Sequence, residues 1–109
     1  MTDGLWWIKA ESKELERFRR AVYNSKAWKN ARAYVLASNP FCVHCERDKG
    51  ILTRAVDVDH IINLAEIKKT GNTALAFSIE NLQGLCKSCH SKKSYNESLN
   101  KNNNEKEKD

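Results

Sequence analysis

The four cysteines of the chain fall into two pairs with the spacing of a metal site. Cys42 and Cys45 form one C-x-x-C pair, Cys86 and Cys89 form a second, and 40 residues separate the pairs. Two residues between cysteines let one turn present both thiolates to one ion, and two such turns complete the tetrahedral four-sulfur shell that zinc favours. The pattern predicts a structural zinc site, closed to substrate because protein ligands fill every position.

Disulfides are the alternative for these thiols, which could pair in three ways. Residues 1–9 are too short and acidic for a secretory signal, and no apolar run is long enough to cross a membrane. We therefore expect an intracellular protein without a membrane partner, in which structural disulfides are disfavoured. His44, inside the first pair, is expected to be a bystander, because four sulfurs already complete the shell.

A second group of polar residues has no role in a zinc shell. Asp59 and His60 follow an apolar stretch, and His90 directly follows the last cysteine. Each residue of a helix advances by about 100°, so in a helix beginning near Cys86 the side chain of His90 points away from the zinc. Lys87 and Lys93 lie three residues on either side of His90 and fall near its face. An imidazole between two cations suits a phosphate-bearing ligand.

Helices and short strands are expected to position these residues. The segment 13–37 lacks Pro and Gly and has apolar residues at helical spacing, which predicts one or two helices with a bend near Ser25. The remaining expectations are a tight turn over 41–50, strands over 51–53 and 55–62, a short helix over 64–68, a turn at Gly71 and a helix from 86 to about 98.

Composition and charge bound the domain and its partner. The chain has 109 residues, of which 40% are apolar, so we expect one small domain over 1–96 and a polar, disordered tail over 97–109. The net charge is +5, and residues 9–32 carry eight Lys/Arg against three Glu. This excess indicates a polyanionic partner, although a solvated helix surface is an equal alternative. The candidate nucleic-acid contacts are Lys26, Lys29, Arg32, Lys87 and Lys93.

The combined motif resembles the HNH endonucleases. It consists of Cys42-x-x-Cys45, Asp59-His60-Ile61-Ile62, and Asn81-Leu82-Gln83-x-Leu85-Cys86-x-x-Cys89-His90. The stretches Tyr23–Lys29 and Asn39–Cys42 look like those of small phage and prophage members. The resemblance implies an α+β fold with a ββα-metal (HNH) core, a four-cysteine structural zinc site and N-terminal helices.

The resemblance also implies roles for individual residues. His60 matches the general base that activates water, and Asn81 matches the asparagine that holds the loop so that the base is oriented. Asp59 and His90 match the ligands of a catalytic divalent metal. Phosphodiester hydrolysis needs a proton acceptor and a cation with open coordination positions, and Mg²⁺, Mn²⁺ or Ni²⁺ would serve with this ligand pair.

The expected function is a metal-dependent endonuclease that nicks or cleaves double-stranded DNA. The resemblance further suggests phage DNA packaging with the large terminase subunit, in the cytoplasm of a bacterial host. Two alternatives stay open: a zinc-stabilised DNA-binding module, and an accessory protein of the packaging motor without essential catalysis.

Overall fold

The computed structural model describes the backbone of residues 6–102 and the side chains of residues 12–99. Within that range lie α1 (Trp6–Asn24), α2 (Lys26–Ser38), α3 (Val43–Lys49), β1 (Asp57–His60), α4 (Leu64–Thr70), β2 (Leu82–Leu85) and α5 (Lys87–Asn102). Two short 3-10 helices, Thr73–Ala76 and Ile79–Asn81, connect α4 to β2. The predicted α+β class is confirmed.

The break between α1 and α2 is built by Ser25. Its hydroxyl oxygen accepts a hydrogen bond from the backbone amide of Trp28 at 3.1 Å, and its hydroxyl donates to the carbonyl of Val22 at 2.7 Å. An N-cap serine starts a new helix in this way, because it satisfies an amide that has no partner within the helix. The predicted bend at this position is confirmed, and α2 ends at Ser38, just before the Asn39–Pro40 pair.

The two strands form one antiparallel sheet. The register pairs Asp57 with Leu85, Val58 with Gly84, Asp59 with Gln83 and His60 with Leu82. Side chains alternate between the faces of a sheet, so the two aspartates share one face and Val58 and His60 share the other. Helix α2 packs on the His60 face, and α5 packs on the aspartate face.

Each face of the sheet covers its own buried cluster. The larger cluster joins the N-terminal helices, α4 and the sheet through Val22, Trp28, Ala31, Val35, Val58, Leu64, Ile67, Ala76 and Leu82. The smaller cluster surrounds the cysteines and includes Leu85, which is fully buried. The sheet therefore lies between a hydrophobic core and a sulfur cluster.

Two sequence-based expectations for the region before β1 are wrong. Residues 43–49 form helix α3 rather than a simple turn, because the Cys42 sulfur caps the helix at its start and Gly50 ends it with φ of 67°, a left-handed conformation that glycine adopts readily. Residues 51–53 do not form a strand. Ile51 and Leu52 are 50% and 64% exposed, so their apolar character does not reflect burial in a sheet. The predicted strand over 55–62 is present but shorter.

The C-terminal helix passes the expected domain boundary. Helix α5 continues to Asn102, so residues 97–102 are helical, while the rest of the predicted tail, 103–109, lies outside the described residues. The division at residue 97 stays a prediction. In the described part of the chain, no helix combines the length and the hydrophobicity needed to cross a membrane.

Candidate catalytic and metal sites

The four cysteines converge as the sequence predicts. Their Sγ atoms all lie within 4.8 Å of one another, and Cys45 Sγ is 3.8 Å from Cys86 Sγ and 3.7 Å from Cys89 Sγ. Four sulfurs about 2.3 Å from a tetrahedral zinc ion are separated by about 3.8 Å. The cluster therefore has the spacing of a metal-binding shell. His44 lies outside this group of ligands.

The protonation of the thiols also points to a cation. Burial, together with hydrogen bonds to the other sulfurs, raises the pKa of Cys89 to about 12. Burial has the same effect on Cys42, but hydrogen bonds from backbone and thiol groups outweigh it and lower that pKa to about 7. Thiolates packed this closely repel one another, and a divalent metal bound among them would supply the compensating positive charge.

His60 is almost fully enclosed on the core face of the sheet. Its side chain stacks on Trp28, with ring centroids 5.0 Å apart, and its Nε2 lies 2.9 Å from the carbonyl oxygen of Ala76. A carbonyl only accepts hydrogen bonds, so Nε2 carries the hydrogen and Nδ1 of the neutral ring keeps the lone pair. The ring is therefore held in the tautomer in which Nδ1 can accept a proton.

Burial also sets the charge of this imidazole. It lowers the pKa of His60, and this effect outweighs the hydrogen bond to Ala76 and the charge of Asp59, both of which act in the opposite direction. The neutral form is therefore favoured at neutral pH. A neutral ring with a defined lone pair is what a general base requires.

Asn81 ties together the loops around His60. Its Oδ1 accepts a hydrogen bond from the amide of Ile62 at 2.8 Å, and its Nδ2 donates to the carbonyls of Ile62 and Leu75, each at 3.1 Å. Leu75 directly precedes Ala76, the residue whose carbonyl holds the His60 ring. The asparagine is 5% exposed and uses both ends of its amide. It thus links the segment that follows His60 to the segment that carries the Ala76 carbonyl.

Asp59 and His90 meet on the opposite face of the sheet. Asp59 Oδ1 lies 3.6 Å from His90 Nε2. Two ligands about 2.1 Å from one ion are typically about 3 to 3.6 Å apart, so the pair fits a shared divalent cation with most of its coordination positions left open. Nδ1 of the same imidazole lies 3.0 Å from Asp57 Oδ2.

The second carboxylate oxygen of Asp59, Oδ2, is held by two side chains. Gln83 Nε2 donates to Asp59 Oδ2 at 3.2 Å, and Lys93 Nζ lies 3.0 Å from the same atom. Lys93 also contacts Glu97 and donates to the carbonyl of His60 at 3.1 Å. Burial alone would lower the pKa of Lys93, but the carboxylates of Glu97 and Asp59 outweigh it and raise that pKa. These contacts leave Oδ1 facing His90.

The predicted nucleic-acid contacts are in different environments. Lys26, Lys29 and Arg32 are exposed along α2, and Arg32 also donates to the carbonyl of Val56 at 3.3 Å. Lys87 is exposed, with Nζ 4.0 Å from Asp57 Oδ2. Lys93, in contrast, is enclosed and paired with acids, so its charge is already used within the site.

Several residues of this arrangement were not identified from the sequence. Asp57 could have been found, because a period of two places it on the same strand face as Asp59. Gln83 needed the register of the sheet, since β2 has too little alternation to reveal itself as a strand. The Ala76 carbonyl and Trp28 have no polar side-chain signal, and their contacts with His60 emerge only from the tertiary structure.

Comparison with known proteins gives concordant matches. The family model for HNH endonucleases matches residues 42–96, which are 55 of the 109 residues. A protein of Lactococcus phage SK1, described as a probable HNH endonuclease, is 38% identical over 72 residues, covering 65% of this chain and 72% of the relative. The crystal structure of the HNH endonuclease of deep-sea thermophilic bacteriophage GVE2 with manganese ion matches with a TM-score of 0.69 and 34% identity, covering 84% of this chain and 94% of that one.

Proposed function

The chain belongs to the HNH endonuclease family, and we propose from this premise that it is a metal-dependent DNA endonuclease that hydrolyses phosphodiester bonds. The observation that carries the proposal is the environment of His60. Its Nε2 is bound to the Ala76 carbonyl at 2.9 Å, which reserves Nδ1 for a proton from water. A rigidly held neutral base that directly follows, along β1, the carboxylate of a carboxylate–imidazole pair fits hydrolysis better than binding alone.

In this mechanism His60 is the general base. Nδ1 takes a proton from a water molecule, and the water oxygen forms a bond to phosphorus as the bond to the 3′ oxygen breaks. Trp28 and Ala76 restrict the ring, so little reorientation is needed when the proton moves. The neutral ring favoured by burial is ready to accept it near neutral pH.

Asp59 and His90 would hold the catalytic divalent metal through Oδ1 and Nε2. When bound, such an ion stabilises negative charge on the phosphate and on the leaving oxygen. Oxygen and imidazole ligands suit Mg²⁺, Mn²⁺ or Ni²⁺, and the phage GVE2 relative was crystallised with manganese. Asn81 would keep the loop at Leu75–Ala76 in place, and zinc in the four-cysteine cluster would hold the start of α5.

The substrate we propose is double-stranded DNA, with the exposed cations of α2 and Lys87 tracking its phosphates. Charge-based binding releases counterions, so affinity should fall steeply with salt. Replacing Lys26, Lys29 and Arg32 together with Gln should flatten this slope, whereas Lys68→Gln, at an exposed lysine paired with Glu14, serves as the control. An unchanged slope in the triple variant would assign the α2 charges to a solvated surface.

The proposed setting is phage DNA packaging with the large terminase subunit, in the cytoplasm of a bacterial host. The support is that both relatives named above are phage proteins. Co-purification of the chain with the large terminase subunit of the same phage, together with DNA packaging by a phage that carries His60→Ala, would test this setting. Packaging that proceeds normally with the inactive variant would favour a role as a motor accessory.

Plasmid cleavage tests the proposed activity directly. Supercoiled plasmid is incubated with the zinc-loaded chain, with and without Mn²⁺ or Mg²⁺, and conversion to open circles and linear DNA is followed. Removing a positioned general base typically lowers the rate by about 10²–10⁴-fold, so His60→Ala should be nearly inactive yet retain zinc and DNA binding. His44→Ala, which removes an imidazole outside both metal sites, should cleave like the wild type. Cleavage by His60→Ala at the wild-type rate would contradict the mechanism.

A further inference from the structure

We propose that Asp57 is a positioning residue that fixes the tautomer and orientation of His90 for metal binding. This inference rests on the proposed function, because it assigns a role at the same divalent-metal site. Asp57 belongs to neither the motif resemblance nor the cysteine cluster. It lies two residues before Asp59 on β1, and its half-buried carboxylate faces α5.

The contacts of the His90 ring define the two sides of this arrangement. Nδ1 lies 3.0 Å from Asp57 Oδ2, while Nε2 lies 3.6 Å from Asp59 Oδ1. An ionised carboxylate can only accept a hydrogen bond, so the nitrogen facing Asp57 carries the hydrogen in the neutral ring. The lone pair is then on Nε2 and points to the atom of Asp59 that is proposed to share the metal.

Asp57 therefore holds His90 in the same way that Gln83 and Lys93 hold Asp59. Gln83 and Lys93 bind Asp59 Oδ2 and leave Oδ1 available. Asp57 binds His90 Nδ1 and leaves Nε2 available. Metal-binding histidines usually donate their second ring N–H to such a partner, and loss of the partner typically weakens metal binding by about 10–100-fold.

The two proposed catalytic histidines consequently carry their hydrogens on opposite nitrogens. His60 has its hydrogen on Nε2 because it faces the Ala76 carbonyl, and His90 has its hydrogen on Nδ1 because it faces Asp57. The chain contains only three histidines, so each ring can be resolved in a spectrum that detects imidazole nitrogens.

Nitrogen-15 NMR of the zinc-loaded chain, without the second metal and at a pH where the rings are neutral, tests the tautomer. We expect His90 to be in the Nδ1–H form in the wild type and in Asp57→Asn, whose side-chain oxygen still accepts the hydrogen bond. In Asp57→Ala, His90 should become a mixture of tautomers while His60 stays in the Nε2–H form. An Nε2–H form of His90 in the wild type would overturn the proposal.

Calorimetric titration with Mn²⁺ tests the consequence for binding. Asp57→Ala should weaken Mn²⁺ binding by about 10–100-fold, Asp57→Asn by less, and Asp48→Asn, an exposed carboxylate paired with Arg47, not at all. Circular dichroism and zinc content establish that each variant is folded. If Asp57→Ala is unfolded, two other results decide whether Asp57 positions His90. These are the tautomer of His90 in the wild type and the smaller loss of Mn²⁺ affinity in Asp57→Asn. Equal Mn²⁺ affinity in the wild type and folded Asp57→Ala would reject the assignment.

A double-mutant cycle separates positioning from direct ligation. If Asp57 acts through His90, the variant lacking both side chains should bind Mn²⁺ no more weakly than His90→Ala alone. Additive losses would mean that Asp57 contacts the metal itself and would overturn the positioning role. A wild type that neither binds Mn²⁺ nor cleaves DNA would instead reject the proposed function. If the wild type cleaves DNA but its His90 is in the Nε2–H form, the role of Asp57 is rejected and the proposed function stands.

Discussion

The indole of Trp28 and the imidazole of His60 lie stacked, with ring centroids 5.0 Å apart and planes inclined by 22°. Trp28 belongs to α2, whereas His60 ends β1, so the contact joins the N-terminal helices to the proposed catalytic base. The stacking partner is buried and carries no reacting group. It restricts the ring across its flat face, whereas the Ala76 carbonyl holds the Nε2 edge.

This stack gives the first prediction. Trp28→Leu should release the imidazole, and misplacement of a reacting group by about 1 Å can lower a rate by about 10²-fold. Trp28→Phe keeps an aromatic ring against His60 and should retain most of the activity. Single-turnover cleavage is measured at a temperature where circular dichroism shows both variants folded. An unchanged rate in folded Trp28→Leu would mean that stacking does not position the base.

The pH dependence follows from the burial of His60. Because burial lowers its pKa below the ordinary value of 6.5, the base stays neutral into the mildly acidic range. The rate should therefore be constant around neutral pH and fall only as the pH drops through a pKa below 6.5. Single-turnover rates from about pH 5 to about pH 8 with Mn²⁺ measure this limb. A midpoint above 6.5 would contradict the expected environment.

The lowered pKa of His60 also makes the free energy of unfolding depend on pH. A folded-state pKa below the unfolded one means that the neutral ring favours the native state. This contribution is fully present above pH 6.5 and decreases as the pH falls. Replacing His60 with Gln should flatten the dependence of unfolding free energy on pH over that range, which denaturant titrations at several pH values can measure.

Substitutions of Asn81 separate the role of its amide oxygen from that of its amide nitrogen. Asn81→Ala leaves the part-buried backbone groups of Ile62 and Leu75 without their partner, and an unpaired polar group shielded from water typically costs about 1–3 kcal/mol. Asn81→Asp restores the oxygen that faces the Ile62 amide but removes the donor that faces two carbonyls. Both variants should lower the free energy of unfolding and the cleavage rate. Full stability in Asn81→Asp would show that the donated bonds are dispensable.

The zinc prediction concerns the whole fold. Cys42→Ala or Cys86→Ala leaves three sulfurs, and a structural zinc site can supply on the order of 10 kcal/mol of apparent folding free energy. Each variant should lose zinc and the cooperative melting transition, and a strong chelator should do the same to the wild type. Metal analysis and thermal melts measure both effects, with His44→Ala as the zinc-retaining control. One zinc per chain and unchanged melting in a cysteine variant would refute this role.

Side-chain chemistry was the most predictable part of the molecule. The spacing of the cysteines correctly predicted that their four sulfurs cluster, because two residues between thiols let both bind a single ion. The 100° advance per residue correctly separated Cys89 from His90 on α5. Ser25 and Gly71 marked helix ends because capping is local and depends on a few adjacent residues.

Features that depend on distant packing were less predictable. Leu52 is apolar but 64% exposed, so hydrophobic character alone wrongly suggested a strand there. Strand β2 carries Gly84, whose added Cβ would lie 3.0 Å from the Cβ of Ala55, and this close approach is visible only once the fold is known. The contacts that fix the two imidazoles likewise join segments that are far apart in the sequence.

Cys89 and His90 occupy successive positions in the first turns of α5, and the backbone amide of His90 donates to the Cys86 carbonyl at 2.9 Å. The sulfur cluster therefore determines where this helix begins and where the imidazole projects. If the cysteines bind zinc and His90 binds the second metal as proposed, a newly synthesised chain should present His90 to Mn²⁺ or Mg²⁺ only after its cysteines have closed around their own ion. On this proposal the two sites fill in order, and zinc supply would set the moment at which a copy becomes competent to cut DNA.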